Sequence, residues 1–112
     1  MRPSDVVQQQ LDAYNARDID AFCAAYSRSI RVIRHPSGET SIDNLDALRS
    51  YYVRERFNLP DLHATLVSRI EFGNKVIDHE QITGLAESVV EAVAIYEVES
   101  DLIQTIWFLE RD

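Results

Sequence analysis

The chain has 112 residues, of which 46% are hydrophobic, with only three glycines and three prolines, so we expect a single globular domain over residues 1–112. Its net charge of −8 excludes the basic surface that non-specific nucleic-acid binding requires, and no nucleic-acid partner is expected. No apolar run approaches the roughly 20 residues that a membrane-spanning helix needs, so no membrane partner is expected either.

The cysteine content and the first ten residues indicate in which cellular compartment the protein is expected. Cys23 is the only cysteine, which excludes an internal disulfide and a cysteine-based zinc site and fits a reducing environment. The opening segment, MRPSDVVQQQ, lacks the apolar core of a signal peptide. A cytoplasmic location is the prediction.

The first quarter of the chain predicts two amphipathic helices. Ser4 is a suitable N-cap, and Val7, Leu11 and Tyr14 follow at the spacing of one helical stripe. After a polar corner, Asp18 is a suitable cap for a second helix. The inward stripe of that helix consists of Ile19, Phe22, Cys23 and Tyr26. Two such helices need an apolar surface to cover.

A strand and a third helix follow. The segment Arg31–His35 is rich enough in β-branched residues for a strand, which a Pro-Ser-Gly turn then ends. Asp43 is predicted to cap a helix that runs to about Phe57, ahead of a proline. Its buried stripe is expected to be Leu45, Leu48 and Tyr52.

The segment from Leu62 to Leu85 predicts a β-hairpin around a Gly-Asn turn. The turn fixes the register and therefore decides which side chains share a face. Without a bulge, Arg69 lies opposite Asp78. The face that helices would cover then carries the polar residues His63, Arg69, Asp78 and Glu80, with Val67 opposite Glu80. Charged groups are unusual on such a face, so a functional site is expected here.

Two further strands are predicted at residues 88–98 and 101–110, joined at Glu99-Ser100. The resulting register places Thr105 and Trp107 on the helix-covered face, beside Ala92 and Ala94. The opposite face carries Val89, Val93, Ile95, Ile106 and Phe108. A sheet that is apolar on both faces usually buries both. Because three helices can cover only one face, we expect a homodimer through the outer sheet face.

The order α-α-β-α followed by an antiparallel meander predicts an α+β domain, and it resembles the nuclear transport factor 2-like superfamily, in particular its SnoaL-like and ketosteroid-isomerase-like members. The resemblance rests on VVQQQLDAYNARDIDAFCAAYS, IRVIRHPSGETSIDNLDALRSYY and EVESDLIQTIWFLE. It implies a single SnoaL-like domain with a cone-shaped, curved antiparallel sheet wrapped around three helices from the N-terminal half, a cystatin-like α+β roll. It also implies an enclosed pocket and a dimer through the outer sheet face.

The ketosteroid isomerase machinery does not carry over to this chain. Where that family has a tyrosine on the first helix, this sequence has Val7, and where it has an aspartic acid donor, this sequence has Ala94. Only the general-base position holds a titratable group, which here is His35. Without both donors a dienolate has no stabilisation. A true ketosteroid isomerase is therefore not expected.

The resemblance and the hairpin register together suggest a small hydrophobic organic ligand in the pocket, with no cofactor and no metal. If the protein is an enzyme, we expect an isomerase, cyclase or epoxide-hydrolase-like activity that uses general acid–base chemistry. The expected catalytic residues are His35, Asp78 and Glu80. The expected ligand-binding residues are Arg69, Trp107, Tyr14, His63, Tyr52 and Ala94.

Each of these assignments has a structural alternative. His35 can be a strand-end histidine bonded to the adjacent turn, and Arg69 with Asp78 can be an ion pair that only neutralises the pocket wall. Glu80 has no cation assigned by the register, and such carboxylates are often functional. The alternative function for the whole protein is a non-catalytic ligand-binding or dimeric assembly module.

Overall fold

The computed structural model describes residues 1–111 and contains three helices and six strands in this part of the chain. In chain order the elements are α1 (Pro3–Ala16), α2 (Ile19–Ala24), β1 (Tyr26–His35), β2 (Thr40–Ile42), α3 (Leu45–Glu55), β3 (His63–Phe72), β4 (Lys75–Thr83), β5 (Val90–Glu99) and β6 (Leu102–Leu109). Apart from β2, the element order is the predicted one, and Tyr26 begins β1 instead of continuing the stripe of α2. β2 was not predicted, and β1 begins five residues before the predicted strand.

The helix caps differ in part from those expected. Helix α1 begins at Pro3, with Arg2 rather than Ser4 at the N-cap, because proline suits the first helical position. The Asp18 carboxylate accepts a hydrogen bond from the Ala21 N–H at 3.1 Å, as predicted for the cap of α2. Helix α3 is capped by Asn44, one residue after the expected Asp43.

The six strands form one curved, unclosed sheet in the order β2-β1-β6-β5-β4-β3. Strands β1 and β6 are parallel and all other neighbours are antiparallel. Helix α1 packs across β3 to β6, while α3 lies against β1 and α2. The expected α+β fold, with three helices held by a curved sheet, is confirmed.

The core lies between the helices and the concave face of the sheet. Its fully buried large side chains include Val6, Val7, Phe22, Ile30, Leu48, Leu62, Val76, Ile103 and Ile106. The convex face has no helix over it among residues 1–111, and it exposes large apolar side chains such as Ile70 and Phe72. No helix in residues 1–111 combines the length and the apolar character that crossing a bilayer requires.

A bulge in the β3–β4 hairpin changes the predicted faces. The Gly-Asn turn and the pairing of Arg69 with Asp78 are as expected. Beyond Ser68 the register shifts, so that Leu66 rather than Val67 lies opposite Glu80. An extra residue in one strand moves every side chain on the far side of the bulge from the turn to the other face. His63 is therefore exposed, and Leu62, Ala64 and Leu66 point inward instead.

A second bulge changes the β5–β6 hairpin. Its turn is Ser100-Asp101, both at positive φ (53° and 61°), one residue later than predicted. Glu97 then pairs with Thr105 while Val98 pairs with Ile103, which leaves Gln104 as the extra residue. The predicted faces of β6 are consequently wrong beyond this point. Thr105 and Trp107 lie on the convex face, and Ile106 and Phe108 lie on the concave one.

Candidate ligand-binding cavity

A cavity of about 260 Å³ lies between the concave face of the sheet and the helices. Helix α1 contributes its buried stripe, β4 and β5 contribute the floor, and α3 with the residue after it forms one wall. The polar and charged lining groups are Gln10, Tyr14, Tyr26, Arg34, Ser41, Tyr51, Tyr52, Arg56, Glu80 and Tyr96. The remaining lining is apolar, as is usual for a small-molecule site.

Glu80 is the acidic group of this cavity. Its Oε2 atom is shielded from solvent and has no hydrogen-bond partner within residues 1–111. Burial, followed by repulsion from the Asp78 carboxylate, raises the pKa of Glu80 to about 7 against a partial opposing effect of Arg69. A carboxyl group with such a pKa gains and loses a proton near neutral pH, which suits general acid–base chemistry.

The Arg69–Asp78 pair lies beside Glu80 on the same hairpin but outside the cavity lining. The guanidinium donates two hydrogen bonds to the Asp78 carboxylate, from Nε at 2.7 Å and from Nη2 at 2.9 Å. A third bond, from Nη1, reaches Gln8 Oε1 at 2.9 Å. The Asp78 side chain is fully buried. The hydrogen bonds of Arg69 go to Asp78 and Gln8, so Arg69 does not form an ion pair with Glu80.

A buried hydrogen-bond chain crosses the cavity floor. The Tyr26 hydroxyl donates to Gln10 Oε1 at 3.0 Å, and Gln10 Nε2 donates to the Tyr96 hydroxyl at 3.4 Å. Burial raises the pKa of both tyrosines well above 10. Both hydroxyls therefore keep their protons at physiological pH. The Tyr96 hydroxyl, which accepts from Gln10, retains its own proton for donation.

Arg56 and Tyr14 form a second polar group in the wall. Arg56 Nη1 donates to the Tyr14 hydroxyl at 2.9 Å, and the guanidinium lies over the rings of Tyr51 and Tyr52 at 5.9 and 5.8 Å from their centroids. Tyr52 also packs against Phe22 with ring centroids 4.7 Å apart. Aromatic packing therefore fixes the position of the guanidinium.

The structure brings three of the predicted site residues to the cavity and excludes the others from its lining. Glu80, Tyr14 and Tyr52 line it, whereas Asp78 and Arg69 form the adjacent ion pair. Ala94 is buried but does not reach the cavity.

Three further placements are wrong for local reasons. His35 is exposed at the end of β1, where Arg34 and not His35 lines the cavity, because alternate side chains of a strand point to opposite faces. His63 and Trp107 leave the cavity face because a bulge separates each of them from the turn of its hairpin. No cluster of three His, Cys, Asp or Glu side chains suited to a metal ion occurs in residues 1–111.

The sequence contained signals for two lining residues that were not predicted. Gln10 is a polar residue on the buried stripe of α1, three residues after Val7 and four before Tyr14, and it is only 4% exposed. Arg56 continues the stripe of Leu48 and Tyr52 at a spacing of four. A polar residue at a position that helical periodicity assigns to the interior indicates a buried hydrogen bond or a ligand site.

Comparison with known proteins identifies the family and the fold. A family model described as the SnoaL-like domain matches residues 7–106. A solved cystatin-fold protein from Novosphingobium aromaticivorans is similar over 98% of this chain and 99% of its own, with 20% identity and a TM-score of 0.85. A SnoaL-like protein from Burkholderia thailandensis covers 95% and 91%, with 17% identity and a TM-score of 0.76. A proposed polyketide cyclase from Sinorhizobium meliloti covers 93% of each chain, with 17% identity and a TM-score of 0.79. A comparison with curated protein sequences gives no match.

Proposed function

Because the chain belongs to the SnoaL-like domain family of the nuclear transport factor 2-like superfamily, we propose that it binds a small, mostly hydrophobic organic molecule and catalyses a proton transfer on it. The observation that carries this proposal is Glu80, a carboxyl group with an unpartnered oxygen at a cavity lined mainly by aliphatic and aromatic side chains. Isomerisation, cyclisation and hydrolysis of a strained ring all begin with such a transfer.

The proposed step uses Glu80 as a general base. Its carboxylate takes a proton from an acidic C–H, which leaves Glu80 as the neutral acid and the negative charge on the ligand. Returning the proton at another atom completes an isomerisation and regenerates the base. For a strained cyclic ether, the proton comes from a water whose oxygen bonds to a ring carbon as the ring C–O bond breaks, and Glu80 then gives the proton to the ring oxygen. The pKa of about 7 supports this role, because both protonation states are populated at neutral pH.

The two positions that carry the steroid-isomerase donors hold no donor in this chain. Val7 is fully buried in the core, and Ala94 is buried as well; neither side chain can donate a hydrogen bond. A cavity of about 260 Å³ lies just below the range for ligand pockets, which is about 300–1,000 Å³. Both facts support a substrate smaller than a steroid.

Hydrogen exchange of model carbon acids tests the function. Small cyclic enones and β-keto esters would be incubated in D₂O with the protein, and loss of the C–H signal followed by NMR. We expect catalysed exchange that Glu80→Gln reduces by about 10²-fold. The control is Glu87, an exposed loop carboxylate. Glu87→Gln is expected to leave the exchange rate unchanged. Exchange that survives Glu80→Gln contradicts the proposal. Ligand binding without exchange by the wild-type protein favours the non-catalytic ligand-binding alternative.

We also propose a homodimer through the convex face of the sheet. One row across this face consists of Ile77, Ile95, Trp107 and Ile33 on four adjacent strands, and Ile70 and Phe72 beside it are 58% and 78% exposed. Five strands about 4.8 Å apart, each with about seven residues, present roughly 570 Å². Two such faces meet the roughly 1,000 Å² that a specific interface requires.

Replacement of Ile95, at the centre of this row, tests the dimer. Sedimentation at micromolar concentration is expected to give twice the chain mass of 12.9 kDa for the wild type and the single mass for Ile95→Glu. A charge at the centre of an apolar interface would be desolvated without a partner. Val53, which is 48% exposed on α3, is the matched control, and Val53→Glu should remain dimeric. A monomeric wild type would contradict the proposal.

A further inference from the structure

Two of the three charged side chains that line the cavity are arginines, although the chain as a whole is acidic. The chain carries a net charge of −8, yet the charged lining residues are Arg34, Arg56 and Glu80. Asp78, the nearest other carboxylate on the hairpin, is already paired with Arg69. Arg34 is half exposed and lies 3.7 Å from the Glu39 carboxylate, so within residues 1–111 Arg56 is the lining cation that has no carboxylate partner.

Arg56 differs from the other arginines of the α3 region. Arg49 pairs with Asp20 at 2.9 Å and Arg54 pairs with Glu55 at 3.2 Å, both at the surface. Arg56 is partly buried against aromatic rings, and no carboxylate of residues 1–111 pairs with it within 4.0 Å. Withdrawing a guanidinium from water without an anionic partner is costly. Such a group at a cavity wall is suited to an anionic ligand.

The hydrogen-bond directions at this position also favour an anion. The Tyr14 hydroxyl accepts from Arg56, so its own proton is free to be donated. The guanidinium uses Nη1 for Tyr14, which leaves its other N–H groups to bind in the two-pronged geometry that suits a carboxylate. The Tyr14 hydroxyl and the Arg56 guanidinium can therefore both donate hydrogen bonds to a ligand at the same wall of the cavity.

We propose that Arg56 and Tyr14 form an anion-binding subsite, so that the ligand is a small, mostly apolar molecule with one carboxylate or similar planar oxyanion. The subsite deepens the proposed function and rests on the same cavity. The anionic group binds at Arg56 and Tyr14, the aromatic side chains enclose the apolar part, and Glu80 acts on the remainder of the ligand.

Binding of matched probes tests the subsite without requiring turnover. Benzoate, benzamide and benzyltrimethylammonium have one ring in common and differ in charge, and each would be titrated by calorimetry at pH 7. We expect benzoate to bind at least 10-fold more tightly than benzamide, and benzyltrimethylammonium to bind most weakly. Equal affinity for benzoate and benzamide, or preference for the cation, would overturn the proposal.

Variants assign the preference to the residues named. Arg56→Gln is expected to reduce benzoate affinity to that of benzamide, and Tyr14→Phe to reduce it several-fold. Arg54→Gln, two residues away and exposed, should leave the affinity unchanged. If Arg56→Gln fails to fold, Arg56→Lys keeps the charge without the fork and should retain only part of the preference. A full preference in a folded Arg56 variant refutes the subsite.

The two proposals fail separately. Benzoate selectivity that depends on Arg56, together with no Glu80-dependent hydrogen exchange, keeps the subsite and removes the catalytic step. Glu80-dependent exchange together with no charge selectivity removes the subsite and keeps the catalysis.

Discussion

Replacing Asp78 with Asn is expected to lower the free energy of unfolding by about 3–5 kcal/mol, the usual cost of breaking one side of a buried ion pair. The Asp78 side chain is fully buried, and the Arg69 side chain is only 15% exposed. An asparagine amide supplies one acceptor where the carboxylate supplied two, and the Arg69 charge is left without its counter-ion. Chemical denaturation at pH 7 measures the change.

A second ion pair in the same protein provides a matched control. Arg2 Nη2 lies 2.8 and 2.9 Å from the two Glu71 carboxylate oxygens, but the two side chains are 71% and 43% exposed. Exposed ion pairs contribute little to stability, so Glu71→Gln is expected to lower the free energy of unfolding far less than Asp78→Asn does. Equal and small losses for Asp78→Asn and Glu71→Gln would contradict the assignment of Asp78 as a buried structural partner.

Stability should depend on pH through Glu80, and in a direction that is unusual for a carboxylate. In the folded protein its pKa is raised from 4.5 to about 7. Between these values the folded state holds a proton that the unfolded state has lost. The contribution of Glu80 is therefore fully present below pH 4.5 and is lost as the pH rises through 7. The loss amounts to at most about 3 kcal/mol, at about 1.4 kcal/mol for each pH unit.

Glu80→Gln isolates this contribution, because the amide resembles the neutral acid and does not titrate. The variant is expected to match the wild type in stability near pH 4.5 and to exceed it by up to about 3 kcal/mol at pH 8. Denaturation at several pH values gives both curves. Glu87→Gln, at an exposed loop position, should leave the pH dependence of the wild type unchanged. A Glu80→Gln curve parallel to that of the wild type would contradict the raised pKa.

The sequence predicted those parts of the site that depend on short-range rules. A Gly-Asn turn favours one kind of hairpin, and from it the pairing of Arg69 with Asp78 and the inward direction of Glu80 follow by counting. Helical periodicity likewise placed Tyr14 and Tyr52 on buried stripes, and both line the cavity. The family resemblance predicted the fold, which the family match and the solved structures confirm.

Two bulges explain most of the placements that were wrong. Val67 and Gln104 are each one extra residue in a strand, and neither residue type marks a bulge in the sequence. The period of a strand is two, so one extra residue exchanges the faces of everything beyond it. His63 and Trp107 were misplaced for this reason, and Phe108 was assigned to the outer face when it lines the cavity.

Arg56 was missed for a different reason. Its position follows the stripe of α3, but whether this arginine is solvated or lies at the cavity depends on Tyr14, which belongs to α1 and is 42 residues away in the chain. Sequence periodicity predicts which way a side chain points, but not which side chains of other elements it contacts. The long-range packing of α1 against α3 creates the wall, and only the three-dimensional structure contains that information.

The titration of Glu80 itself tests the central claim most directly. The ¹³C shift of its side-chain carboxyl carbon can be followed by NMR from pH 3 to 9, and Glu80→Gln identifies the signal by its disappearance. A proton-transfer group held at the cavity predicts a midpoint near pH 7. A midpoint near the ordinary value of 4.5 would mean that the carboxylate is solvated or paired, and would contradict its proposed role.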